Sequence, residues 1–322
     1  MRVAVTGGSG VVGAAVVRHL VAAGDDVRAL ARSAESSAKL ADLGATVVHG
    51  ELLDDDAVGR LVKGKERVFH VAGVNQLCPR DPSRMWKINV DATLGVLEAS
   101  ARAGVSRFIH TSSAVTIGEE QGDEGTEESK HRGHFLSEYE RSKTVSERLV
   151  FGSKRDIEIV SVNPSSVQGP GRSTGTGALL LAAARGSLPV LVDTTISLVD
   201  IDDCARGHLL SAEHGKPGER YILSGAVTSI RDAARALNRL LDRPARPWFI
   251  NPKAVSAIAP IVDACFRLTG RDSPLCAEST RVLLHGHVYD GSKATRDLGL
   301  KYTPLEQTLS RTLDWYRAEG LI

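Results

Sequence analysis

A chain of 322 residues with 42% hydrophobic and 25% charged side chains has the make-up of a globular protein, large enough for one big domain or two modest ones. Forty Lys and Arg against 39 Asp and Glu leave a formal charge of +1, which excludes a global field that recruits nucleic acid or an anionic membrane. No apolar run reaches the roughly 18 residues of a membrane helix, and the N-terminal run Val3-Ala4-Val5 is too short for a signal peptide. The expectation is a cytoplasmic protein with reduced cysteines, since Cys78, Cys204, Cys265 and Cys276 are scattered without CxxC spacing.

In chain order, apolar runs predict strands at Val3–Thr6, Val27–Leu30, Thr46–His49, Val68–Val71, Phe108–Thr111 and Ile157–Val162. Helical spacing predicts helices between them at Val12–Ala23, Ala34–Leu43, Asp54–Lys63, Arg84–Ala103 and Glu138–Lys154. Val- and Ile-rich strands alternating with helices imply an α/β fold with a doubly wound parallel sheet, of the Rossmann type, whose ligands bind at the carboxyl ends of the strands. Residues 1–165 form the first expected domain. Gly and Pro then become denser, from Gly169-Pro170-Gly171 through Gly186 and Pro189, and break the rhythm. Strands at Ser197–Ile201 and Tyr221–Leu223, with a helix over Cys204–Glu213, suggest that 197–225 returns to that domain. Helices at Ile230–Leu241, Ala254–Leu268, Ala277–Leu284 and Pro304–Arg317 complete a smaller, interleaved C-terminal region, 166–322, assigned to substrate binding. The stretch Ala254 to Phe266, interrupted by Pro260 and Asp263, reads as a packed helix rather than a membrane span.

Thr6-Gly7-Gly8-Ser9-Gly10-Val11-Val12-Gly13 stands where the first strand ends and the first helix begins. Such a turn needs a residue without Cβ, a pyrophosphate needs close backbone approach, and the helix must pack tightly on the strand. The free N–H groups at the helix start then face the phosphates. Gly7, Ser9, Gly10, Val11, Val12 and Gly13 are therefore candidate dinucleotide-binding residues. At the end of the second strand, Val27-Arg28-Ala29-Leu30-Ala31-Arg32-Ser33 offers no acid for a ribose 2′-hydroxyl, whereas Arg32 can fork onto a 2′-phosphate with help from Ser33 and Ser9. NADP is expected in preference to NAD.

Tyr139 and Lys143, in Tyr139-Glu140-Arg141-Ser142-Lys143, share one face of a helix. A nearby ammonium and an oxidised nicotinamide favour the phenolate, so Tyr139 can exchange a proton with a substrate oxygen as hydride moves. Phe108-Ile109-His110-Thr111-Ser112-Ser113 ends an apolar strand in hydroxyls, where a Ser can steady a developing alkoxide.

With these motifs the chain resembles the extended short-chain dehydrogenase/reductases, the NAD-dependent epimerase/dehydratase superfamily, over nearly its whole length. Val68-Phe69-His70-Val71-Ala72-Gly73 looks like the family's fourth strand, and Asn89-Val90-Asp91-Ala92-Thr93 resembles its N-V-x-G-T segment, with Ala92 in place of Gly. The resemblance implies Ser113, rather than Ser112, with Tyr139 and Lys143 as the catalytic set. It implies that Pro164 to Val167 flank the nicotinamide, and it adds Glu51, Leu52, Val71, Ala72, Gly73 and Asn89 to the cofactor-binding candidates. Val199-Asp200-Ile201-Asp202-Asp203-Cys204-Ala205-Arg206-Gly207-His208-Leu209, Gly218 to Gly225 and Tyr289-Asp290-Gly291-Ser292-Lys293-Ala294 are similar to dihydroflavonol-reductase-like and 3β-hydroxysteroid-dehydrogenase-like members. Sugar-nucleotide epimerases of the family carry an Arg where this chain has Ile196.

The function implied is NADP-dependent reduction of a ketone or aldehyde of a small to medium apolar molecule, or the reverse oxidation. A sugar-nucleotide epimerase or dehydratase and a non-catalytic NADP sensor are the alternatives. The segments around Phe135, Ser166–Thr176 and Leu188–Thr195 are mainly small, apolar or hydroxylated, a weak indication of an uncharged substrate. No metal is expected: His131-Arg132-Gly133-His134 lacks further ligands at zinc spacing, and Glu119 to Glu128 reads as a mobile loop over the pocket. Cys204 is read as a core residue, and Asp202 and Asp203 as helix caps. Apolar residues on a second face of the Arg84–Ala103 and Glu138–Lys154 helices, Val96, Leu97, Val145, Leu149 and Val150, point to a homodimer.

Overall fold

Val3, Ala4 and Val5 are apolar in succession because their strand is covered on both faces, and all three are fully buried. The computed structural model describes residues 1–242, 247–268 and 276–322. Its strands are β1 (Arg2–Thr6), β2 (Asp26–Ala31), β3 (Thr46–His49), β4 (Arg67–His70), β5 (Arg107–Thr111), β6 (Glu124–Gly125), β7 (Glu158–Pro164), β8 (Ser166–Gln168), β9 (Val190–Val192), β10 (Thr195–Asp200), β11 (Arg220–Leu223), β12 (Ala226–Ser229), β13 (Trp248–Ile250) and β14 (Val288–Tyr289). The helices are α1 (Val11–Ala22), α2 (Ala34–Asp42), α3 (Asp55–Val62), α4 (Ser83–Trp86), α5 (Thr93–Arg102), α6 (Glu138–Phe151), α7 (Thr176–Ala184), α8 (Ile201–His214), α9 (Ile230–Asn238), α10 (Pro252–Leu268), α11 (Ala277–His285), α12 (Ser292–Leu298) and α13 (Leu305–Ala318).

Seven strands make one parallel sheet in the order β11-β7-β5-β4-β1-β2-β3. The chain works outward from β1 in one direction, then crosses back to β4 and continues in the other. The switch point, where such sheets bind ligands, therefore falls between β1 and β4. Val16, Leu20, Cys204 and Tyr221 fill the core on the α1 and α8 side; Leu61, Val96, Leu97 and Val150 fill it on the α3, α5 and α6 side.

Several expectations are corrected by long-range pairing. The strand expected at Ser197–Ile201 is β10, which stays out of the large sheet and pairs with β8 and β12. It stops at Asp200 because the Asp200 carboxylate accepts from the Asp202 backbone N–H at 2.8 Å, so Asp200, not Asp202 or Asp203, caps α8. Asp202 instead pairs with Arg18 and Arg311, and Asp203 with Arg206 and Thr303. Cys78 and Cys276 form a disulfide across 198 residues, so these two cysteines are not the reduced thiols expected from their spacing. Only the tertiary fold brings the loop after β4 to the start of α11. The Glu119–Glu128 stretch is anchored, since β6 pairs with β14 and Glu127 accepts from the Ile222 N–H at 2.8 Å. In α10, Val255 and Ala259 are buried but Ile258 and Ile261 face solvent, so only one side of that helix is packed. Val96, Leu97 and Val150 are consumed by the chain's own core, which leaves Leu149 exposed and Val145 half-buried as the remnant of the second apolar stripe. Among the described residues no helix is long and apolar enough to cross a membrane.

Candidate active site

The glycine turn is built by contact rather than by flexibility alone. Gly7 has φ +70, and a Cβ there would lie 2.6 Å from the Ala72 Cα, so the turn after β1 can press against the loop after β4. A Cβ at Gly13 would lie 2.1 Å from the Gly7 carbonyl oxygen, which is why the first turn of α1 can sit directly on that carbonyl. Gly10 is exposed at the N-cap, beside the part-buried Val11 and Val12. No side chain caps α1, so its first N–H groups are left to an incoming acceptor. Lys39 Nζ donates to the Ser9 carbonyl at 2.8 Å and brings a second cation to this loop.

Arg32 is exposed just past β2, with no acidic residue beside it in sequence. Ser33 accepts from the Ser36 N–H at 3.2 Å and caps α2, so its hydroxyl already has structural work. Glu51 is exposed, and Leu52 packs against the α3 side of the core. Val71 and Ala72 are part-buried and Gly73 is exposed after β4.

Asn89 lies in a π-helical turn, Lys87–Ala92, inserted between α4 and α5. Such insertions are often found at functional sites. Its amide donates to the Val74 carbonyl and to Ser142 Oγ, both at 2.9 Å, and its carbonyl accepts from the Val74 N–H at 2.8 Å. Asn89 thus ties the loop after β4 to α6. His70 is held between Thr6 Oγ1 and Thr93 Oγ1, both at 2.9 Å, and burial, with the Lys143 charge, pushes it down to about 3. This neutral imidazole joins β1, β4 and α5 beneath the switch point.

Ser137 caps α6 by accepting from the Glu140 N–H at 3.1 Å, which starts the helix one residue before Tyr139. Lys143 is buried and donates to the Thr111 carbonyl at 2.6 Å. Burial drops it to about 8, against the opposing charge of Glu147. A Cβ on Gly73 would be 3.9 Å from Lys143 Nζ, so the ammonium borders the cofactor-side loop. Tyr139 is half-buried; burial raises its phenol above the ordinary value, while hydrogen bonding from Ser113 and the Arg172 charge pull it down. Ser113 follows β5, whereas the Ser112 hydroxyl is buried without a partner and its N–H is spent on the Val162 carbonyl at 2.8 Å. The structure thus couples Tyr139 to Ser113 and not to Ser112. Pro164 ends β7, and Val167 is buried among Val199 and Ile201 in the core.

Arg172 was not among the expected site residues. It follows the Gly169-Pro170-Gly171 turn, its Nε is buried without a partner, and its charge acts on Tyr139. A cation directly after a Gly-Pro-Gly turn was the available signal.

The residues fit a dinucleotide: Gly7 and Gly13 leave no Cβ at the two tightest points of the turn, the first N–H groups of α1 have no side-chain cap, Lys39 reaches the Ser9 carbonyl, and Arg32 is exposed just past β2. A family model described as the NAD dependent epimerase/dehydratase family matches residues 3–224. The chain belongs to that family. It is 31% identical to a putative dihydroflavonol 4-reductase of Synechocystis over 99% of this chain and 95% of the other. It is 30% identical to sterol demethylase protein B of Methylococcus capsulatus over the full length of both. The solved structure of gox2253 superposes with a TM-score of 0.87 at 29% identity, covering 100% of this chain and 99% of that one. The protein is an NAD(P)-dependent enzyme of the extended short-chain dehydrogenase/reductase superfamily, with the Rossmann-type sheet expected of it.

Proposed function

We propose that this family member is an NADP-dependent reductase, or the reverse dehydrogenase, for a carbonyl on a small to medium apolar molecule. The observation that carries the reading is that Ser113 acts on the Tyr139 phenol, on the same helix as the buried Lys143. When bound, the nicotinamide cofactor supplies or accepts the hydride. Tyr139, kept protonated by burial, holds the proton destined for the substrate oxygen. Ser113 hydrogen-bonds that oxygen and steadies its charge. Lys143, anchored on the Thr111 carbonyl, brings a positive charge that favours loss of the phenol proton. Arg172 adds a second positive charge at Tyr139.

Exposed Arg32 and nearby Lys39, with no acid after β2, support NADP over NAD. Relatives named for a dihydroflavonol and a sterol, and Ile196 lying within β10 where epimerases have an Arg, support an apolar carbonyl substrate over a sugar nucleotide. The reading includes a homodimer through α5 and α6, supported by exposed Leu149 and half-buried Val145.

The test is NADPH and NADH consumption over a panel of ketones, aldehydes and sugar nucleotides. Tyr139→Phe should lose about 10²- to 10⁴-fold in kcat with NADPH affinity kept, and Arg32→Glu should move the kcat/KM ratio towards NADH. Retained activity in the first variant refutes the proton donor. An unchanged ratio in the second refutes the NADP assignment.

A further inference from the structure

A second group of buried polar side chains lies apart from the proton-transfer residues and has no part in that chemistry. Glu119 stands six residues beyond Ser113, just past the turn Ala114–Ile117. His285 ends α11, and His287 immediately precedes β14. The side chains of Glu119, His285 and His287 are 2%, 6% and 15% exposed, and one ligand atom from each lies within 4.8 Å of the others.

Their spacing is that of donors around a common centre. Glu119 Oε1 is 2.7 Å from His287 Nδ1 and 3.4 Å from His285 Nε2. Tyr289 Oη is 2.9 Å from the same His287 Nδ1. A ring nitrogen has either one proton or one lone pair, so His287 Nδ1 cannot serve both neighbours well. Glu119 Oε2, His285 Nε2 and His287 Nε2 are buried without hydrogen-bond partners. Hydrogen bonding within the trio therefore leaves three buried polar atoms unmet, an arrangement that costs free energy wherever nothing else satisfies it.

A divalent cation held by Glu119 Oε1, His285 Nε2 and His287 Nδ1 would take one lone pair from each group, which gives His285 Nε2 a partner and ends the competition at His287 Nδ1. Two imidazoles and one carboxylate suit zinc and its first-row neighbours, while calcium and magnesium call for oxygen donors alone. Tetrahedral bonds of about 2.1 Å place ligand atoms roughly 3.4 Å apart. His285 Nε2 and Glu119 Oε1 already have that separation, and His287 needs to draw back by about 0.7 Å to reach the same zinc geometry. The surroundings hold the ligands in place: Arg132 donates to the Glu119 carbonyl at 3.1 Å, and Ser197 Oγ donates to the His287 carbonyl at 3.0 Å.

We propose that Glu119, His285 and His287 form a structural site for a zinc-class divalent cation that pins the segment following Ser113 to the α11–β14 connection. The β6–β14 pairing, Val288 with Glu124 and Tyr289 with Gly125, already joins these two segments, and the ion would lock that junction.

The test uses full-length protein stripped by chelator and dialysed against Zn²⁺ or Co²⁺. Elemental analysis should find one equivalent of zinc, the cobalt form should show the visible absorption of a low-coordinate ion, and zinc should raise the melting temperature. His285→Ala and His287→Ala should lose the equivalent and the thermal shift, while His134→Ala, at an exposed imidazole, should keep both. NADPH binding and circular dichroism establish that each variant is folded. Should the His variants not fold, the near-isosteric Glu119→Gln should weaken zinc binding at least about tenfold. No saturable zinc in wild type, or an equivalent that survives His285→Ala and His287→Ala, overturns the proposal and leaves a hydrogen-bonded network in its place.

Discussion

Gly13→Ala should damage cofactor binding and stability together, by an amount that follows from one contact. The added Cβ would stand 2.1 Å from the Gly7 carbonyl oxygen, where real Cβ contacts stay above 3.0 Å, a shortfall of 0.9 Å. The opposing atom is backbone, in a turn itself pressed on Ala72, so no side chain can rotate away. The start of α1 must therefore retreat, yet Ala15, Val16, Val17 and Leu20 are at most 2% exposed and resist that shift. Overpacking of this kind costs about 1–3 kcal/mol. On the reading that the uncapped N–H groups of α1 hold the cofactor phosphates, displacing them by nearly 1 Å should weaken NADPH by about tenfold to a hundredfold, the order seen when positioned groups move that far. Thermal melts and NADPH fluorescence titration read the two effects. Gly10→Ala is the control: its Cβ meets nothing nearer than 3.2 Å, so stability should hold while the exposed methyl still hinders the cofactor. A Gly13→Ala protein with wild-type melting temperature and NADPH affinity refutes the reasoning.

Lys143, pushed down to about 8 by burial, should impose an alkaline limb on reduction, with kcat/KM falling about tenfold per pH unit above that point as the ammonium is lost. Stability should move the other way. Between pH 8 and the ordinary lysine value of 10.5 the unfolded chain holds the extra proton, so this group's contribution to stability rises with pH. Lys143→Arg, which stays charged, should remove the limb, and a limb unchanged in that variant refutes its assignment to Lys143. The homodimer predicts a light-scattering mass of twice the 34.3 kDa chain, and Leu149→Glu should shift it towards one chain. A mass of one chain for wild type refutes the dimer.

The local signals survive in the structure because the forces behind them act within a few residues. A glycine-rich turn between β1 and α1 is demanded by contacts among Gly7, Gly13 and their neighbours, and Tyr139 and Lys143 share a helix face by the period of the helix alone. Strand positions along the first half were legible because buried parallel strands must be continuously apolar. What the sequence could not disclose depends on segments far apart in the chain. β10 and β11 look alike as short apolar runs, but only packing sends one to β8 and β12 and the other to the edge of the large sheet beside β7. Cap choice at α8 turned on where β10 stops, which moved the role from Asp202 and Asp203 to Asp200. Cys78 and Cys276 meet across 198 residues, and Glu119 meets His287 across 168. Arg172 and Tyr139 lie on separate segments, and only the tertiary fold brings the Arg172 charge to bear on the phenol. Periodicity reports what a segment needs to bury, and the tertiary structure decides which distant segment buries it.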